Sequence, residues 1–295
     1  MPYMQKLRET KDKKIIVIDK YYSFMARPLG KKLAAIRNPQ EKESPEDLKR
    51  RNKKRATERT ALMIANNFSE GSPYLTVTYD SENLPDYEDL SNRVKKDLRN
   101  FLDRLKRAYS KKGVNLKYAA TVENVEPGKR GRAHAHLLLP EIPGVKTDRE
   151  YERIFKSIWG KGNVKVQQYG GEMTDATKLA AYFLKQAKKD GGARMNFSRN
   201  CDAPTEKKTE VRRSECFSSK IDVPAGYFVN KELTFQGWTR DGYPCQHIVL
   251  EQFGESVRRY WDFDKCDYRE RRIRPTCGKQ VANVYKAVNK RKLKS

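Results

Sequence analysis

Apolar residues recur along this chain in two rhythms, and the switches between them mark its elements. Period-two alternation sends successive side chains to opposite faces and marks strands, whereas spacings of three and four give a helix one buried stripe. PYLTVTYD, rich in β-branched and aromatic residues and bounded by Gly-Ser-Pro and Asp-Ser-Glu-Asn, predicts a buried strand over residues 74–79. Leu90, Val94, Leu98, Phe101, Leu102, Leu105 and Tyr109 follow at helical spacing, predicting a helix with a basic outer face that Gly113 closes. KYAATVE and AHAHLLL read as two strands, and the Gly, Pro and charge of the intervening NVEPGKRGR suit an extended antiparallel hairpin. A helix around residues 151–159, a strand over 164–169 and a helix from about 174 to 189 complete the run before Gly191-Gly192.

The resulting order is β-α-β-β-α-β-α. A hairpin between two single strands, each followed by a helix, predicts an α+β fold: a central, mostly antiparallel sheet flanked by helices. Upstream, IIVI predicts a short strand over residues 15–18. Ser44-Pro45-Glu46-Asp47 predicts the start of a charged helix reaching about Asn67, with Ser44 as cap and Pro45 in the first turn. Three regions follow: a basic N-terminal strand and helix over 1–70, a domain over 71–192 that holds this β-α-β-β-α-β-α run, and a basic, aromatic extension over 193–295.

Charge sharpens this picture. Lys and Arg outnumber Asp and Glu by 63 to 38, a formal charge of +25 that exceeds what solubility requires and implies a polyanionic partner. No stretch approaches the ~20 apolar residues of a spanning helix, so nucleic acid fits the charge better than a membrane. The leading MPYMQKLRETKDKK has no apolar signal-peptide core, which places the chain in the cytoplasm with reduced thiols. The 37% hydrophobic content of 295 residues is lean but adequate for a core and excludes disorder throughout. Five cysteines without a CxxC pair read as buried thiols, the alternative being zinc gathered by Cys245, His247, Cys266 and Cys277.

In GRAHAHLLL, alternation places His134, His136 and Leu138 on one side and Ala135, Leu137 and Leu139 on the other. The chain has three histidines, and two of them fall this close by chance in about one sequence in fifty. The plain alternative is a structural pair on a half-buried strand. Glu123 ends the partner strand and can reach the same face as a third ligand, with Glu126 as fallback. Imidazole and carboxylate donors facing a phosphate oxygen suit Mg²⁺ or Mn²⁺, with zinc as a third candidate.

In LAAYFLKQAKK, a buried stripe of Ala176, Leu179, Ala180, Phe183 and Ala187 leaves Lys178, Tyr182, Lys185 and Lys189 on an adjoining face. Nearby cations favour a phenolate, and with it attack on phosphorus. The plain reading is an aromatic at a stripe's edge beside solvated lysines. Gln186, one turn beyond Tyr182, either orients the phenol, donates an oxygen to a metal, or is surface.

With TVTY, GRAHAHLLL and YFLK in this order, the sequence resembles the HUH endonucleases, and among them the rolling-circle replication initiators of plasmids and single-stranded-DNA phages. The resemblance covers roughly residues 74–189 and implies a ferredoxin- or RRM-like fold. It places metal ligands on His134 and His136, less securely on Glu123, and the nucleophile and its lysine on Tyr182 and Lys185. It further implies attack on an origin phosphate of single-stranded DNA through a 5′-phosphotyrosine. Gln186 stands where related phage initiators often carry a second tyrosine, so the chain looks like the one-tyrosine kind. No GxxxxGK[ST] loop is present, so host helicase and DNA polymerase are the expected partners. Two other readings stand beside this one: a single-tyrosine transposase with the YxxxQ spacing, and a non-catalytic nucleic-acid-binding protein whose strand aromatics stack bases.

Overall fold

The computed structural model describes residues 3–23, 44–86, 90–123, 125, 132–189, 196–216, 221, 223–224, 226–239, 242–252, 257–262 and 267–272, and the side chains of 186–189, 213 and 257–272 lie outside that description. The chain forms two compact units, residues 42–203 and residues 1–41 with 204–295.

In chain order the elements are β1 (Tyr3–Glu9), β2 (Ile15–Tyr22), α1 (Pro45–Asn67), β3 (Pro73–Thr78), α2 (Leu90–Ser110), β4 (Ala119–Glu123), β5 (His134–Leu138), α3 (Asp148–Trp159), β6 (Val164–Gln168) and α4 (Met173–Lys189). They continue with β7 (Asn196–Phe197), β8 (Thr205–Val211), α5 (Arg213–Cys216), β9 (Tyr227–Val229), β10 (Phe235–Trp238), β11 (Pro244–Gln252), β12 (Val257–Asp262) and β13 (Asp267–Arg272).

In the unit of residues 42–203, the sheet runs β6-β3-β5-β4-β7 with every neighbour antiparallel. Its first four strands form a β-α-β-β-α-β unit in the spatial order fourth, first, third, second, with β5 in the centre. This is the expected α+β architecture of an antiparallel sheet flanked by helices.

Alternation decides which side chains each layer buries. Leu75 and Val77 of β3, Ala135 and Leu137 of β5 and Val164 and Val166 of β6 face one core, which Phe101 and Leu105 of α2 and Phe155 and Trp159 of α3 complete. Full burial of each large side chain contributes about 1.5–3 kcal/mol, so this layer is the sheet's main anchor. On the opposite face α4 packs against β4 and α1 through Ala176, Ala180 and Phe183, all fully buried. The face that carries the polar strand residues is therefore also the face under α4.

Local chemistry sets the helix boundaries. Ser44 Oγ accepts from Asp47 N at 3.1 Å, as the start of α1 predicts. Helix α3 begins before its apolar stripe, because Thr147 and Glu150 form a reciprocal capping box, and it ends at Gly160 in the left-handed region. Beyond it Gly162 has φ 147°, and a Cβ there would lie 2.3 Å from Thr78 O, so only glycine lets β6 begin this close to the end of β3.

The other unit is a six-stranded sheet ordered β10-β11-β2-β1-β8, with β9 also pairing β11. A separate hairpin pairs β12 with β13. Sequence order set a leading basic region apart from a C-terminal extension, whereas here β1 and β2 share a sheet with β8 and β11. Strand β1 carries too much charge for apolar alternation to reveal it and is held by ladders on both sides. Val229, Ile248 and Leu250 form this unit's core with Ile16, Ile18 and Tyr227 against them. Asp19 accepts from Arg8 and lies 2.6 Å from His247 Nδ1.

Of the residues considered for zinc, Cys266 and Cys277 lie outside the described residues, and Cys245 is a half-buried thiol outside any disulfide. Among the described residues no helix is long and apolar enough to cross a membrane.

Candidate active site

Register brings the candidate residues together. On β5, His134 lies opposite Thr78 of β3 and Glu123 of β4, and His136 lies opposite Thr76 and Thr121. Directly paired residues share a face, so both imidazoles, the carboxylate and the threonines project toward α4. Glu123 Oε2 is 3.1 Å from His134 Nε2, and Glu123 Oε1 is 3.0 Å from His136 Nε2.

These three side chains could hold a metal ion: one donor atom from each lies within 4.8 Å of the others. Two further observations fit an ion there. Octahedral ligands about 2.1 Å from a small divalent cation sit about 3.0 Å apart, close to the 3.1 and 3.0 Å that separate each imidazole from a Glu123 oxygen. Glu123 Oε1 is buried 3.0 Å from His136 Nε2 and keeps accepting capacity for a further partner. Hard carboxylate oxygen with imidazole nitrogen is a donor set for Mg²⁺, Mn²⁺ or Zn²⁺, and geometry alone does not choose among them.

Burial pushes the Glu123 carboxyl up, but hydrogen bonds and charge from His134 and His136 outweigh it and bring it down to about 2. Glu123 is accordingly an anion throughout the physiological range. Behind the cluster, Tyr74 Oη and Thr76 Oγ1 each lie 2.9 Å from His136 Nδ1, and the Tyr74 ring stacks on the imidazole. A metal on Nε2 requires the proton on Nδ1, where these hydroxyl oxygens can accept it. Burial, then the neighbouring Tyr182 and Glu123, push the Tyr74 phenol well above its ordinary value, so it stays protonated. His134 Nδ1 has a similar support, 2.9 Å from Arg132 O.

Helix α4 delivers the remaining group. Tyr182 Oη lies 3.1 Å from His136 Nε2, with the two rings edge to face. The next residue, Phe183, is fully buried and meets Tyr74 edge-on, which fixes the rotation of the helix over the sheet. Tyr182 itself keeps 36% of its surface exposed, enough for a substrate to approach. Lys185 is exposed one turn on, and Lys178 pairs with Asp175 at 3.7 Å, so both lysines reach outward from the helix. Glu126 and the Gln186 side chain lie outside the described residues.

Residues 72–191 match the family model described as Replication-associated protein ORF2/G2P. The match supports a replication initiator family. It spans β3 to the end of α4 and contains each of Glu123, His134, His136, Tyr182 and Lys185. Comparison with curated proteins and with solved structures returned no match.

Pattern reading of this segment missed Tyr74 and Thr76 as supports of His136, because nothing in one sequence gives the register of β3 on β5. It also missed a cleft of about 580 Å³ that opens beside the cluster between α4 and the β3–β6 edge. Lys165 and Gln167 line it, projecting from the same sheet face as Thr76 and Tyr74.

Proposed function

We propose that this chain initiates rolling-circle replication by nicking and rejoining single-stranded origin DNA, with Tyr182 as nucleophile and Glu123, His134 and His136 as metal ligands. The observation that carries this reading is the 3.1 Å approach of the Tyr182 hydroxyl to His136, at the edge of a three-donor cluster. A structural histidine pair has no need of an exposed phenol on a separate helix, and a plain binding protein has no need of the buried carboxylate between the imidazoles.

Mg²⁺ or Mn²⁺ on this cluster supplies Lewis-acid polarisation of a phosphate oxygen. The protein's own contribution is positional. Thr76 and Tyr74 hold the His136 ring, Phe183 seats α4, and Tyr182 is thereby aimed at the phosphorus. Its phenol gives a proton to solvent, the Oη–P bond forms as the P–O3′ bond breaks, and the freed 3′-oxygen takes up a proton. The product is a 5′-phosphotyrosine that conserves the bond for rejoining and a 3′-hydroxyl that a polymerase can extend. Lys185 contacts the phosphate backbone, and helicase and polymerase activities come from the host.

The test is covalent capture. Labelled single-stranded DNA incubated with the full chain and Mn²⁺ is expected to give a denaturant-stable adduct, absent with Tyr182→Phe. An adduct of equal yield in Tyr182→Phe would remove Tyr182 from the mechanism, and binding with no adduct in the unaltered chain would favour a non-catalytic module.

A further inference from the structure

The cleft beside the cluster has a composition that the nicking chemistry does not use. Its 580 Å³ falls within the roughly 300–1,000 Å³ of small-molecule sites, sufficient for a nucleotide but not for a paired duplex. One end is His136 and Tyr182, so whatever fills it lies next to the group attacked.

Two pairs of polar side chains face each other across it. On β6, Lys165 and Gln167 stand opposite Thr76 and Tyr74, exposed and with no polar partner among the described residues. On α4, Asp175 and Lys178 line the facing wall, joined by an ion pair too long and too exposed to hold either firmly. The Asp175 carboxylate is positioned by the turn before the helix: a Cβ on Gly170 would fall 2.1 Å from Asp175 Oδ2, so the absence of a side chain there is what admits it.

A carboxylate in a cleft for DNA is informative. It repels phosphate and the carbonyl edge of thymine, and it accepts from an exocyclic amino group such as cytosine N4 or adenine N6. The Gln167 amide offers a donor and an acceptor on the opposite wall. The lysines supply the charge that a backbone phosphate needs.

We infer that this cleft is a base-reading subsite for a nucleotide adjoining the scissile phosphate, in which Asp175 and Gln167 select a base bearing an amino group and exclude thymine. This rests on the proposed function in taking single-stranded DNA as the ligand, because only an unpaired base can leave its stack and enter a cleft of this size.

The experiment measures binding without chemistry. Oligonucleotides of dC, dA and dT, about 12 nucleotides long to span one single-strand site, compete for the full chain with chelator present and salt fixed. The comparison of dC with dT is the sharpest, since both are flexible pyrimidines and differ at the amino group. The expected result is about tenfold tighter binding of dC than dT, reduced to about twofold in Asp175→Asn and weakened in Gln167→Ala, whose exposed position leaves the fold intact. Equal or tighter binding of dT by the unaltered chain, or a preference that both variants leave unchanged, overturns the assignment. Adduct formation is scored separately: a dC preference that depends on Asp175 in a chain that forms no adduct supports the cleft and removes the nicking reading, and an adduct without base preference does the reverse.

Discussion

At the scale of single residues, the site is a set of charges and lone pairs that constrain one another. Glu123 remains ionised because two imidazoles offset the cost of burying it. Glu123→Gln keeps the shape and removes the charge. Loss of a supporting outer-shell partner commonly weakens metal binding about 10–100-fold, and loss of a ligand is expected to cost at least about 100-fold. Calorimetric titration with Mn²⁺ checks this, and unchanged affinity would take Glu123 out of the ligand set. Asp19, in the other unit, makes a comparable prediction for stability. Burial raises its carboxyl, but His247 and then Arg8 lower it further, so its folded value lies below the unfolded one. A depressed carboxyl stabilises the fold at pH above its unfolded value of about 3.9 and loses that contribution as pH falls through the folded value. Thermal melts below about pH 4 are expected to decline more steeply for the unaltered chain than for Asp19→Asn; parallel curves would show that the pairing adds nothing.

At the scale of elements, the geometry of the candidate site depends on where α4 sits over the sheet. Phe183 is fully buried with its ring against Tyr74, and Tyr182 is its immediate neighbour. Phe183→Ala is expected to cost about 3–5 kcal/mol in denaturant unfolding through the cavity it leaves. The adduct yield at a denaturant-free condition where the variant is folded should fall too, because the phenol's aim depends on that contact. Full adduct yield in a destabilised Phe183→Ala protein would separate the helix's packing from its chemistry. The elements of residues 74–189 were legible in the sequence because each has a strong period: alternation in PYLTVTYD, three-and-four spacing from Leu90 to Tyr109. Strand β1 was not, since YMQKLRE buries little and its pairing with β2 and β8 is what makes it a strand.

At the scale of the whole molecule, the formal charge of +25 is the dominant long-range property. If it serves a single strand, log affinity falls linearly with log salt at about −0.7 per phosphate neutralised. Fluorescence anisotropy between about 50 and 200 mM salt is expected to show a slope of several units. A flat response would leave the charge without its polyanion. The match to replication-associated proteins covers 72–191, so the unit built from both chain ends lies outside it. Its strands come from opposite ends of the sequence, an arrangement that sequence order could not reveal, because strand pairing over such separations leaves no local pattern.

The sequence by itself determined the α+β class, the element order around the site, the shared face of His134 and His136, and the residue types suited to phosphate chemistry. Those follow from periodicity and from fixed side-chain chemistry, both local. Only the tertiary structure decided that Glu123 lies between the two imidazoles, that Tyr74 and Thr76 stand behind His136, and that Tyr182 reaches His136. Each of these depends on strand register or on the rotation of a helix over a sheet, and both are set by packing between segments remote in sequence.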